Sequence, residues 1–149
     1  MILIADTREK IQWTFTSSTY ITEIRSKKLD TGDYSVVGYE DKLTFERKRS
    51  VAEIATNLTE KRWPDVLARL AKFKHKFIIC EFSIADILDY PLNSGIPRYK
   101  LKYIRIKPPF ILSCLAKIQV DYQIPIIYAG NTQCAEIIVE NIIKRIVCE

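Results

Sequence analysis

Residues 32–49, GDYSVVGYEDKLTFERKR, decide how the rest of the chain is read. Two short extended runs, 33–37 and 43–48, flank the polar turn 38–42, which predicts a β-hairpin with a five-residue loop. Side chains alternate along a strand, so Leu43, Phe45 and Arg47 point one way and Thr44, Glu46 and Lys48 the other. Glu46 and Lys48 therefore share a face. With Asp33 at the mouth of the first strand, the hairpin offers two hard oxygen ligands for Mg²⁺ and a cation to stand beside a water attacking a phosphodiester. An E-x-K triplet also arises as an exposed ion pair at a sheet edge. Metal chemistry adds a demand: Asp33 must reach the Glu46 face, through a register that sets the two opposite each other or through a bulge.

Working outward, Asp6-Thr7-Arg8-Glu9 follows an apolar strand at residues 1–5. The C-terminal end of such a strand is where α/β proteins tend to carry reactive groups, so Asp6 and Glu9 are expected to face the hairpin's acids. Three motifs thus follow one another: D-T-R-E at 6–9, G-D-Y at 32–34 and E-R-K at 46–48. In that order and spacing the chain resembles the nuclease domain of the XPF-type structure-specific DNA endonucleases, whose signature is D-x-R-E, then G-D, then E-R-K-x-x-x-D. The resemblance runs on through Arg62 and Phe77-Ile78-Ile79-Cys80-Glu81-Phe82, weakens toward the C-terminus and covers most of the chain. Two positions depart from the pattern. Glu53 stands one residue beyond the expected aspartate, and Lys61 replaces the glycine that precedes Arg62.

The resemblance implies an α/β, restriction-endonuclease-like three-layer sandwich with a mixed central sheet. It also implies a Mg²⁺- or Mn²⁺-dependent endonuclease for branched, flap, fork or junction DNA, serving repair, recombination or replication. In that reading Asp33 and Glu46 hold the ion with the Arg47 backbone carbonyl, and Asp6 supports a second ion or an ordered water. Lys48 stands beside the water, where nearby acids keep it charged. Glu53 and Arg62 support the site, Arg8 pairs with Glu9, and the Arg47 side chain braces either the structure or the substrate backbone. The alternative is a catalytically silent DNA-binding or scaffold subunit, which the family also contains; intact Asp33, Glu46 and Lys48 count against it.

A chain of 149 residues predicts one domain, 1–149, without the family's helix-hairpin-helix module. Its 48% hydrophobic and 28% charged residues leave little room for disorder, and no apolar run is long enough for a membrane span. Charges at Asp6, Arg8, Glu9 and Lys10 exclude a signal peptide, so the protein is expected inside the cell, in the cytoplasm or nucleus with its DNA. Cys80, Cys114, Cys134 and Cys148 form no C-x-x-C pair and read as buried, reduced thiols. The net charge of +5 favours a polyanionic partner. No acidic residue occurs from Pro91 to Val120, and Arg98, Lys100, Lys102, Arg105 and Lys107 interleave with Tyr99 and Tyr103. That suits phosphate neutralisation and base stacking, or equally a solvated loop.

Along the chain, a short helix is expected at 19–27 with a cap among Thr16, Ser17 and Ser18, and Ser50 caps a helix at 51–58. Another helix opens at Trp63, with Val66, Leu67, Leu70 and Phe73 on one face. A buried strand follows at 77–82, whose Glu81 either supports the site or forms a structural ion pair. A short helix at 84–88 leads into a loop or lid punctuated by Pro91, Gly95 and Pro97. A helix at 109–120, a strand at 124–128 and a helix at 132–147 complete the chain. The last carries more isoleucines than one buried stripe needs, so a homodimer contact is expected there unless the 109–120 helix covers it.

Overall fold

A computed structural model describes residues 1–148. Six strands form one mixed sheet: β1 (Ile2–Ala5), β2 (Glu23–Ser26), β3 (Tyr34–Val36), β4 (Leu43–Lys48), β5 (His75–Cys80) and β6 (Ile126–Tyr128), in the order β2-β1-β3-β4-β5-β6. β1 pairs parallel with β2 and antiparallel with β3, β3 pairs antiparallel with β4, and β4, β5 and β6 run parallel. Helices cover both faces. One core lies under α1 (Val51–Asn57), α2 (Trp63–Ala71), α3 (Ile84–Asp89) and α5 (Pro108–Asp121); it contains Ile54, Leu70, Ile78, Ile87 and Ile111. The other packs Leu3, Tyr34, Phe45 and Ile79 against Trp13, Phe15 and α6 (Thr132–Val147) through Ala135, Val139 and Ile143. This is the three-layer α/β architecture.

Ser50 accepts from the Glu53 N–H at 3.1 Å and starts α1, and Asn131 caps α6 in the same way through the Cys134 N–H. Residues 19–27 hold no helix. Glu23–Ser26 is an edge strand, and its run of mostly exposed residues shows no strand alternation, because its position depends on parallel pairing with β1. A four-residue helix, α4 (Arg98–Leu101), lies inside the expected loop. Helix α5 sits on the opposite face of the sheet from α6 and does not cover it. All four cysteines are free, yet only Cys80 is buried; Cys114 and Cys134 are half-buried and Cys148 is exposed. Among the described residues no helix is long and apolar enough to cross a membrane.

β4 lies inside the sheet and all six of its residues are buried, which removes the reading of Glu46 and Lys48 as an exposed edge pair. Its Arg47 turns away from them and is held bidentately by Glu81, Nε to Oε2 at 2.9 Å and Nη2 to Oε1 at 3.0 Å. Glu81 also accepts from Trp13 Nε1 at 2.7 Å and from Thr132 Oγ1 at 2.9 Å. It is therefore the structural ion-pair partner. Glu9 joins the same network, accepting from Arg47 Nη1 and from the Tyr34 hydroxyl, so Arg8 does not pair with Glu9. Trp13 stacks on Tyr34 at 4.3 Å, and the Arg47 guanidinium lies 5.1 Å from the Trp13 ring.

Both side chains of the Arg47–Glu81 pair are under 5% exposed. Removing one partner strands a buried charge, so Glu81→Ala should cost about 3–5 kcal/mol in chemical denaturation. Burial raises the Glu81 pKa, but hydrogen bonds from Arg47, Trp13 and Thr132 together lower it by more, to below the ordinary value of 4.5. A depressed folded pKa contributes stability that is complete above the unfolded pKa and is lost as the pH falls through the folded one. Glu81→Gln should accordingly flatten the loss of stability below about pH 4.5. An unchanged denaturation midpoint in Glu81→Ala would contradict the role of the pair.

Candidate active site

Gly32 is where the chain presses against β4. Its φ of +81° lies in the region that L side chains avoid, and a Cβ there would sit 1.9 Å from Thr44 Oγ1. The contact brings Asp33 beside the strand. The Asp33 N–H donates to the Phe45 carbonyl at 2.8 Å, although Phe45 is already the register partner of Tyr34. Two residues thus address one, as in a bulge. Tyr34 turns into the core on the Arg47 side, while Asp33 lines a cavity of about 290 Å³ together with Glu46 and Lys48. The Arg47 N–H donates to Asp33 Oδ2 at 2.7 Å.

The electrostatics of this corner are unbalanced. Burial pushes the Asp33 carboxyl well above the usual carboxylate range, and the Glu46 charge pushes it further; the bond from the Arg47 N–H and the Lys48 charge offset only part. Burial raises Glu46 as well, against the pull of Lys48. Lys48 responds to the same acids. Burial alone would lower it, but Glu46, Glu53 and Asp33 outweigh that and keep the ammonium charged. Its Nζ lies 3.2 Å from Glu46 Oε1 and 3.7 Å from Glu53 Oε1.

Other residues expected at the site fall into four groups. Arg8, Glu9 and Arg62 line the cavity, and Glu53 reaches it through Lys48. Asp6 is 1% exposed and does not line it; its carboxylate accepts from the Leu29 N–H at 2.8 Å and from Arg8 Nε at 2.6 Å, which tethers Arg8. The Arg47 side chain is on the far face, where it braces the fold and does not reach toward substrate. None of Arg98, Lys100, Lys102, Arg105 and Lys107 lines the cavity; all five are exposed, as are Tyr99 and Tyr103.

The residue types fit a magnesium-like ion. Among the described residues no three His, Cys, Asp or Glu side chains gather around a common point. Mg²⁺ does not require that: it binds through one or two carboxylates and keeps waters and substrate phosphates as its other ligands. Two carboxyls raised by burial, one of them also by the other's charge, supply oxygen donors and a local need for positive charge.

The model of the ERCC4 domain matches residues 5–141. The chain belongs to the ERCC4 domain family. Its fold is similar to XPF from Aeropyrum pernix, with a TM-score of 0.72 and 23% identity over 99% of this chain and 65% of that one. A second structure, XPF from Aeropyrum pernix in complex with DNA, gives 0.63 and 22% over 94% and 62%. The chain thus spans under two thirds of the length of either. No curated protein matches its sequence.

Several residues of the cavity wall were not assigned to the site from the sequence, Asn57, Trp63 and Arg69 among them. Asn57 ends α1 and Trp63 begins α2, and both line the cavity. Helical periodicity reads Trp63 only as core, and no spacing rule joins it to Lys48. The clearest demand of the site falls on Gly32. Gly32→Ala combines a left-handed φ with a collision, so it should lose about 2 kcal/mol or more in urea denaturation. Wild-type stability in that variant would show that the turn does not press on β4.

Proposed function

We propose that the chain is a divalent-metal-dependent DNA endonuclease acting inside the cell on branched, flap, fork or junction DNA, in repair, recombination or replication. The observation that carries this reading is the pair Asp33 and Glu46, both raised by burial and set beside a charged Lys48 in a cavity rimmed by Arg8, Arg62 and Arg69. Asp33, Glu46 and the Arg47 carbonyl would hold Mg²⁺ or Mn²⁺, which would supply Lewis-acid stabilisation of the charge developing on the phosphate. Lys48 orients the attacking water and stabilises the same charge, being too strongly held in its ammonium form to remove a proton. Arg8 and Arg62 receive the strand's phosphates, with Arg8 positioned by Asp6. Family membership over residues 5–141 supports the reaction class.

The basic run supports DNA binding away from the chemistry. Ile104 and Ile106 anchor it on the core, while its five cations and two tyrosines face solvent. A second copy of the chain is the proposed occupant of a groove lined by Phe77, Ile127, Ile138, Ile142 and Ile146 beside α6. Its apolar width and the 57% exposure of the neighbouring Ile137 support a two-fold contact.

Asp33→Asn should abolish Mg²⁺-dependent cleavage of branched DNA, by at least about a thousandfold, while leaving the protein as stable as the wild type or about 1 kcal/mol more so, because a buried ionisable group whose charged form is disfavoured gives way to a neutral amide. Cleavage that survives in the folded variant would end the assignment. Neutralising Lys100, Lys102 and Arg105 together should weaken DNA binding and flatten the slope of log affinity against log salt by roughly 2–3. An unaltered slope would make the run a solvated surface. Sedimentation at micromolar concentration should give twice the chain mass of 17.3 kDa, and half that for Ile142→Lys. A wild-type monomer would exclude the dimer.

A further inference from the structure

This inference rests on the role of Lys48 given above. Trp63 is the first residue of α2, is 6% exposed and contributes to the core under the helices. A buried indole nearly always finds a partner for its N–H. The Nε1 of Trp63 has none among the described residues. Across the same cavity wall, Asn57 gives its Nδ2 to Glu60 Oε1 at 3.1 Å, and its Oδ1 is likewise left unpaired. Each orphaned group lowers stability, and phenylalanine would fill most of the Trp63 volume without that cost. Such departures from the best core belong where a site imposes its own demand.

The demand is visible in what the ring touches. Lys48 Nζ lies 5.0 Å from the centroid of Trp63. The ammonium is thus held by three contacts from three elements: Glu46 on its own strand, Glu53 on α1 and the Trp63 face at the start of α2. A lysine has four rotatable side-chain bonds and no directional fork, so two carboxylates at 3.2 and 3.7 Å leave its position loose. An aromatic face attracts a cation through its quadrupole and blocks the space behind it.

We propose that Trp63 is a positioning residue: its ring clamps the Lys48 ammonium toward the Asp33–Glu46 pair. Trp63→Leu removes the clamp, whereas Trp63→Phe keeps an aromatic face and removes only the orphaned donor. Trp63→Leu should slow single-turnover cleavage about tenfold with the Kd for DNA within about twofold, while Trp63→Phe should stay within about threefold of wild type and unfold at a higher temperature. The deciding test is a double-mutant cycle. In a Lys48→Met background, Trp63→Leu should have no further effect on the rate. An equal loss in that background, or no loss in the wild-type background, overturns the proposal.

A separate readout keeps it apart from the proposed function. Ring currents should shift the Lys48 ε-methylene protons upfield in the NMR spectra of the wild type and Trp63→Phe, and Trp63→Leu should release that shift. If the wild type cleaves no DNA, the endonuclease reading has failed, and these shifts still decide the clamp: protons at the same position in all three proteins refute it. Should Trp63→Leu not fold, the wild type and Trp63→Phe decide in the same way, with unshifted protons in the wild type refuting the contact.

Discussion

Three consecutive charged residues, Glu46, Arg47 and Lys48, occupy a strand inside the sheet and are 9%, 4% and 4% exposed. Burying a charge is expensive unless a partner is buried with it, and strand alternation forbids these three from satisfying one another on one side. Two separate networks result. On the Arg47 face, Glu81, Glu9, Trp13 and Tyr34 enclose the guanidinium, and doing so fastens residues 9–13 and the start of α6 onto the sheet. On the other face Glu46 and Lys48 meet Glu53, Asp33 and the start of α2.

The two faces differ in how completely they are balanced. Around Arg47 the bidentate bond to Glu81 is reinforced by two further donors, and Glu81 titrates below its usual range. Around Lys48 the ammonium meets Glu46 and Glu53, with Asp33 on the same cavity, and Asp33 and Glu46 are raised. The first arrangement is what a scaffold needs. The second crowds buried carboxyls whose ionisation is disfavoured at a cavity open to solvent, a strain that the proposed cation would relieve.

Much of this was legible in the residues. Period-two alternation separated Arg47 from Glu46 and Lys48, and the Ser50 cap and the bounds of the C-terminal helix stand as read. The G-D pair was read only as a motif, and the structure supplies its reason: a left-handed φ and a close approach to Thr44 at Gly32. What stayed hidden depends on distant partners. Glu23–Ser26 carries no apolar rhythm, so nothing local marks it as a strand beside β1. The choice between Asp6 and Glu9 as the partner of Arg8 rests on how residues 6–9 turn over the sheet end, where Asp6 also binds the backbone 23 residues away. Cover of α6 by the 109–120 helix was the alternative to a dimer contact, and α5 packs into the other core, because hydrophobicity does not say which face of a sheet a helix takes.

The Asp33–Glu46 pair is the proposed metal site. Crystals soaked in Mn²⁺ and measured at the manganese absorption edge test it without reliance on activity. An anomalous peak is expected within coordination distance, about 2.0–2.3 Å, of oxygens from both Asp33 and Glu46. Manganese bound elsewhere, with that corner empty at saturating metal, would contradict it.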